Sequence, residues 1–179
     1  MRSERIGAMI GSSGGLAFVL INAGDLPAPA GLLIRVTGVV AFLAVVWFAV
    51  IRPSNRSVPS EPPSRRAIRI YGTSVTAMAI GIPVGANLIN NVLHLPVLTV
   101  PWVILVVGAH FLPFANAFGA PVFARLGWTM VGLAAVGSAV SLAVTEAAAP
   151  WAGVLAGLAL LGFSSAGARR VQPKVEAMR

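Results

Sequence analysis

The sequence predicts an all-α protein: a polytopic membrane bundle of six transmembrane helices. Apolar residues make up 57% of the 179 residues, charged residues make up only 10%, and the mean hydropathy is +0.87, whereas a soluble domain is about a quarter charged. One crossing of the roughly 30 Å hydrocarbon core needs roughly 20 apolar residues. Six crossings would use about 120 residues, so 1–179 is predicted to be a single transmembrane domain.

The six helices follow one another as apolar runs between helix breakers. A turn at 28–29 separates the first two, and a proline- and serine-rich segment at 52–66 is expected to be a flexible cytoplasmic loop because it cannot bury a core. Asparagine, glycine and proline mark a tight turn at 116–121, where Pro121 suits the first turn of a helix. A basic cytoplasmic tail occupies 167–179. The predicted helices span 6–23, 32–51, 67–88, 97–117, 121–143 and 148–166.

The basic residues predict the orientation in the membrane. Of the 13 Lys and Arg residues, all except Arg35 fall on one face of a six-helix topology, and the positive-inside rule makes this face and both termini cytoplasmic. Anionic headgroups of the cell (plasma) membrane then explain the net charge of +8 better than nucleic-acid binding does. A cleaved signal peptide is the alternative for the amino end, but the apolar run there is longer than the usual 7–15 residues or so.

Small residues at four-residue spacing predict close approach between helices. Such stripes fit either a tight bundle within one chain or a homodimer seam. The turns at 28–29 and 120–121 have similar flanking residues, which permits a 3+3 inverted repeat. In such a repeat each copy has three crossings, and this odd number inverts the second copy in the membrane. Chance resemblance is the other explanation. The stripes are Gly7, Gly11 and Gly15, then Ala77, Gly81 and Gly85, then Ala149, Gly153 and Gly157.

A histidine inside the fourth helix is the leading candidate for a functional site. Ionisable groups at such depth are costly and seldom persist without a partner, so His110 is predicted either to bind a ligand or relay a proton, or to pack while bonded to a neighbouring hydroxyl. Pro113 frees a backbone carbonyl one turn earlier. No second His or carboxylate is nearby, so we expect no metal, and no motif indicates a cofactor. Hydroxyls predicted at a similar depth are Ser12, Ser13, Thr73, Ser74, Thr129, Ser164 and Ser165.

A second polar cluster is predicted on the non-cytoplasmic side. Arg35 is the one basic residue there, and Asp25 precedes it by ten residues. The two are expected either to form a local ion pair or to leave Arg35 free to bind an anion or carboxylate. The other polar residues either complete this ligand-binding vestibule or cap helix ends and face water; they are Asn22, Asn87, Asn90, Asn91, His94 and Glu146.

Two further patterns concern the helices themselves. Pro83 should kink or interrupt the third helix near the midplane, where broken helices often form transporter sites. Tryptophans toward helix ends are predicted to be interfacial anchors; they are Trp47, Trp102, Trp128 and Trp151.

Three function hypotheses remain open. The first is a small transporter or ligand-binding membrane protein with an intramembrane polar pocket around His110. The second is an intramembrane enzyme acting on a lipid or isoprenoid-like substrate, with His110, Asp25 or Glu146 as acid or base, since the usual catalytic and phosphate-loop patterns are absent from the sequence. The third is a non-catalytic subunit or scaffold. The expected partners are the lipid bilayer, a small-molecule or lipid ligand and a second copy of the chain, with no nucleic acid.

The segment 107–115, VGAHFLPFA, resembles a His-Phe-Leu-Pro motif of small, uncharacterised bacterial integral-membrane proteins. This resemblance covers nine residues and implies no activity. The high Ala, Gly, Val and Arg content also looks bacterial.

Overall fold

The computed structural model describes residues 2–51 and 64–167, and this part of the chain contains six long apolar helices and no strand. Each helix is long and apolar enough to cross a membrane, which confirms the predicted all-α fold. Most of the predicted loop at 52–66 and tail at 167–179 lies outside the described residues. The helices are α1 (Arg2–Asn22), α2 (Ala30–Val45), α3 (Arg65–Asn87), α4 (Thr99–Ala117), α5 (Pro121–Ala143) and α6 (Ala148–Gly167). π-helical turns extend α2 over Val46–Ile51 and α3 over Leu88–Val92.

Local signals set the helix ends. α3 begins two residues before its predicted start, because the Ser64 hydroxyl accepts a hydrogen bond from the backbone N–H of Ala67 at 3.1 Å and caps the first turn. Between α4 and α5 the chain reverses at Gly119, whose φ of 58° is a left-handed conformation that glycine tolerates. α5 then begins at Pro121 as predicted.

α4, α5 and α6 form the centre of the bundle. Their apolar side chains make one buried cluster, against which Phe18 of α1 also packs. α1 packs against α6 and α2 packs against α1, while the main neighbour of α3 is α4. The inverted repeat stays a prediction: α3 is peripheral, whereas α6, its counterpart, packs against α1, α2, α4 and α5. The buried cluster consists of Ile104, Leu126, Met130, Ala134, Ala152, Ala156 and Leu160.

The small-residue stripes lie at seams inside the bundle. On α1 and α6 the backbones touch, since a Cβ atom on Gly157 would be 2.6 Å from the Gly15 carbonyl oxygen. One turn away, Gly153 accommodates the side chain of Asn22. On α3, Gly85 lies directly against the indole ring of Trp102 from α4. Close packing within one chain therefore uses all three helices with stripes, and a homodimer through the stripes stays a prediction.

Successive helices run in alternating directions, so the bundle has two ends. One is the Asp25 end, where residues 23–29, 93–98 and 144–147 connect the helices. The other is the Arg125 end, which contains the α4–α5 turn. That the Arg125 end is cytoplasmic stays a prediction.

Candidate functional site

His110 lies on the flank of α4 that faces α3. Gly108, two residues earlier, faces α5, because a Cβ atom there would be 2.6 Å from that of Met130. Two residues turn the direction of a side chain around a helix by about 200°, so His110 lies on the side of α4 away from α5. α3 reaches the flank of His110, where the Ser74 hydroxyl donates to the His110 backbone carbonyl at 3.0 Å. The structure therefore brings Ser74 and His110 together, through the backbone of His110 and not through its ring.

The imidazole is held by its own helix. Its Nδ1 atom is 2.8 Å from the carbonyl oxygen of Val107. A carbonyl only accepts hydrogen bonds, so Nδ1 carries the hydrogen of the neutral ring and Nε2 carries the lone pair. The ring is half-buried, and no residue with a described side chain, 7–48 or 64–165, donates a hydrogen bond to Nε2. The site thus presents an unused hydrogen-bond acceptor.

Two phenylalanine rings of α4 flank the imidazole, and rings from α3 and α5 pack on these phenylalanines. The Phe111 ring centroid is 4.2 Å from that of His110, and the Phe114 centroid is 5.1 Å away in an edge-on arrangement. Tyr71 of α3 stacks on Phe114 at 5.6 Å, and Phe123 of α5 stacks on Phe111 at 6.2 Å. The surroundings of the imidazole are therefore apolar and flat-sided. Together the rings form the aromatic cluster, which consists of Tyr71, His110, Phe111, Phe114, Phe118 and Phe123.

The other predicted hydroxyls do not bond to the histidine. Ser12 and Ser164 donate to carbonyls of their own helices, those of Met9 and Leu160, at 3.1 and 2.7 Å, as hydroxyls inside membrane helices commonly do. Thr129 likewise bonds within α5. None of these hydroxyls is hydrogen-bonded to the His110 ring, and a polar pocket that they line stays a prediction. Similar depth alone does not place side chains on facing sides of neighbouring helices.

Asn22 and Arg35 lie at the Asp25 end. Asn22 is 5% exposed; its amide donates to the Phe18 carbonyl at 2.8 Å and packs on Gly153 of α6. The Arg35 guanidinium rests on Gly24, and the ion pair with Asp25 is not formed. These residues belong to the α1, α2 and α6 side of the bundle, whereas His110 belongs to the α3 and α4 side. The structure does not combine them into one pocket.

The polar end of α3 makes a separate group. Asn90 donates to the Ala86 carbonyl at 2.8 Å, and its amide oxygen accepts from the Thr99 hydroxyl at 3.2 Å, which fastens α3 to the start of α4. Asn87 and Asn91 are exposed. His94, also exposed, has a positive φ of 53° in the turn.

The acidic candidates are remote from the imidazole. Asp25 and Glu146 are both exposed at the Asp25 end, and neither forms an ion pair with a residue in 7–48 or 64–165, where side chains are described. Within the same ranges, no cluster of three or more His, Asp or Glu could hold a metal ion.

Sequence reasoning missed the role of Trp102. Predicted to anchor at the interface, it is half-buried and donates its indole N–H to the Gly81 carbonyl at 3.1 Å. Gly85 leaves the space that the ring occupies. The signal was present in part, because Gly85 of the α3 stripe marks the recess that this large side chain fills. The predicted anchors Trp47, Trp128 and Trp151 are exposed.

The third helix is not interrupted at Pro83, and a kink there stays a prediction. α3 runs unbroken from Arg65 to Asn87 through this proline, which is exposed. The helix tolerates it because a proline in a membrane helix loses one backbone bond without ending the others.

Comparison with protein-family models, with curated proteins and with solved structures finds no match to this chain. The geometry around His110 is therefore the basis for a functional proposal.

Proposed function

We propose that this multi-pass membrane protein binds a small uncharged amphiphile at His110, as a transporter or ligand-binding protein. The observation that carries the proposal is the open Nε2 acceptor of a ring whose Nδ1 is committed to the Val107 carbonyl. A neutral acceptor in apolar surroundings favours a ligand with a hydrogen-bond donor, such as a hydroxyl or amide N–H.

The aromatic cluster supports an apolar body for this ligand. Phe111 and Phe114 flank the imidazole, and their faces offer van der Waals contact to a chain or a ring. A charged headgroup would lose its hydration here without an opposite charge to replace it. The ligand class is therefore a lipid-like alcohol, amide or phenol.

The position of α3 supports access from the bilayer. α4 is the main neighbour of α3, so lipid surrounds most of this helix, and Ser74 joins the two helices beside His110. An amphiphile already dissolved in the membrane would reach the imidazole sideways, without crossing the headgroup layer.

Native mass spectrometry of the protein released from its own membrane tests the proposal. His110→Phe keeps a ring in the aromatic cluster but removes both nitrogen atoms, and His94→Asn is the matched control because Asn tolerates the positive φ at that turn. We expect a co-purifying small molecule with the wild type and the control that is lost from His110→Phe. Equal retention by His110→Phe would contradict the proposal, and a stoichiometric protein partner in all three samples would support the scaffold hypothesis instead.

Transport requires a second measurement. Once the molecule is identified by mass, proteoliposomes loaded with it should release it faster with wild-type protein than with His110→Phe if the protein is a transporter. Binding without release would assign a ligand-binding role, and chemical conversion of the molecule would assign the enzyme role.

A further inference from the structure

We propose that Arg35 and the Ala23–Asp25 turn form a phosphate-binding site at the Asp25 end of the bundle. The ligand is the phosphate group of a membrane lipid or a free phosphate ion, which present the same chemistry to a guanidinium. This site is independent of the function proposed for His110.

The guanidinium of Arg35 lies beside the turn. A Cβ atom on Gly24 would be 2.6 Å from Nη2 of Arg35 and 3.8 Å from its Cζ atom, so the guanidinium lies against the backbone of the turn in space that a larger residue would fill. The turn follows the carboxyl end of α1, where backbone carbonyls carry partial negative charge and attract a cation. This attraction favours the observed position of the guanidinium, while the side chain stays exposed.

The charge of Arg35 is unpaired within the described chain. It is exposed and forms no ion pair or hydrogen bond with the residues whose side chains the structure describes, 7–48 and 64–165. Asp25, the nearby acid in sequence, is also exposed and does not pair with it. The five donors of the guanidinium therefore remain available, and their planar fork matches two phosphate oxygens at once.

The depth of Arg35 suits the phosphate layer. It is five residues after α2 begins at Ala30, which places its Cα atom about 7.5 Å along a helix that crosses the membrane. Side chains on a helix lean toward its amino end, so the long arginine reaches back to the turn at the membrane surface. A charge at the edge of the hydrocarbon needs a counter-charge, and lipid phosphates are the anions found at that level.

Native mass spectrometry of the full-length protein in mixed micelles tests this site. The probes are phosphatidylglycerol, a galactosyl diacylglycerol with the same acyl chains but no phosphate, and inorganic phosphate as a competitor. The variants are Arg35→Gln, which removes the charge, Gly24→Ala, which displaces the guanidinium from the turn, and Arg125→Gln, which removes an exposed arginine at the other end.

We expect the wild type and Arg125→Gln to bind phosphatidylglycerol alike, and Arg35→Gln to bind it about tenfold more weakly, as the loss of charge-assisted hydrogen bonds predicts. Gly24→Ala should weaken binding although the charge is kept. Displacement by inorganic phosphate identifies a free ion as a natural ligand, and resistance to displacement identifies the lipid. Either result supports a phosphate site.

Two outcomes would overturn the proposal. One is equal binding of phosphatidylglycerol by the wild type and Arg35→Gln. The other is that Arg35→Gln weakens binding of the galactolipid as much as binding of phosphatidylglycerol, which would show that phosphate is not recognised. If Arg35→Gln fails to fold, Arg35→Lys and Gly24→Ala decide the question. The site is supported if Arg35→Lys still binds phosphatidylglycerol and Gly24→Ala binds it more weakly. Unchanged binding in Gly24→Ala would show that the turn is not part of the site and would overturn the proposal.

Discussion

Replacing Gly15 with alanine tests the closest helix seam of the bundle. The new methyl carbon would lie 2.8 Å from the Gly157 carbonyl oxygen and 3.0 Å from the Leu161 backbone nitrogen, whereas ordinary contact begins at 3.4 Å. α6 must therefore move by at least about 0.6 Å (3.4 − 2.8). These two atoms are backbone, so a rotation of the Leu161 side chain, whose Cγ atom would also lie 2.9 Å away, does not relieve the clash.

The cost follows from the contacts that such a movement weakens. A gap of about 0.5–1 Å forfeits roughly a quarter to a half of each dispersion contact, and overpacking of this kind typically costs about 1–3 kcal/mol. Gly14→Ala is the matched control, since a Cβ atom at Gly14 meets nothing within 4 Å. The gain in helix propensity is common to both variants, so we expect Gly15→Ala to unfold with a free energy about 1–3 kcal/mol below that of Gly14→Ala.

The assay is reversible unfolding in mixed micelles of a mild detergent and dodecyl sulfate, followed by circular dichroism. Gly157→Ala should behave like Gly15→Ala, because its Cβ atom would lie 2.6 Å from the Gly15 carbonyl oxygen. The double variant should cost less than the sum, since one separation accommodates both methyl groups. Equal stabilities for Gly15→Ala and Gly14→Ala would refute the reasoning, as would strict additivity in the double variant.

Four further predictions concern hydrogen bonds and topology. Trp102→Phe should lower the free energy of unfolding by about 1 kcal/mol, because it removes the donor to the Gly81 carbonyl; no loss in the same assay would contradict this bond. Ser74→Ala should cost about 1 kcal/mol by ending the bond to the His110 carbonyl. Ser141→Ala, in contrast, should leave stability unchanged or raise it, because the buried Ser141 hydroxyl has no hydrogen-bond partner in the described chain; a clear loss would show that this hydroxyl has one. Because the chain has no cysteine, single cysteines at Asp25 and Arg125 can be labelled in intact cells with a membrane-impermeant reagent. The orientation prediction expects labelling at Asp25 alone, and labelling at Arg125 alone would reverse it.

The helices were predictable because the apolar signal is local. Roughly 20 apolar residues in a row specify a crossing whatever surrounds them, and the glycine spacing on α1 and α6 correctly marked surfaces of close approach. Neighbour relations were not predictable in this way. In lipid every face of a helix is apolar, so hydropathy does not distinguish a packed face from a lipid-facing one.

At the candidate site, too, one feature was predictable from the sequence and another depends on how the helices pack. Depth in the membrane identified His110 as unusual, but the chemistry at the ring depends on angles around the helix, which direct Nδ1 to Val107 and the backbone toward Ser74. Arg35 and His110 lie on different sides of the bundle because α2 packs on α1 and not on α4. Such facts belong to the tertiary arrangement and leave no trace in residue spacing.

The seam between α1 and α6 constrains how the protein is made. Gly15 and Gly157, whose backbones touch, are separated by 142 residues (157 − 15), so during synthesis α1 enters the bilayer long before its partner exists. Until then its glycine face, the buried Ser12 and the buried Asn22 are exposed to lipid or to the insertion machinery. α6 therefore completes the bundle after translation of the intervening helices, and chains that stop short of it leave α1 as an unassembled helix with the features that membrane quality control recognises.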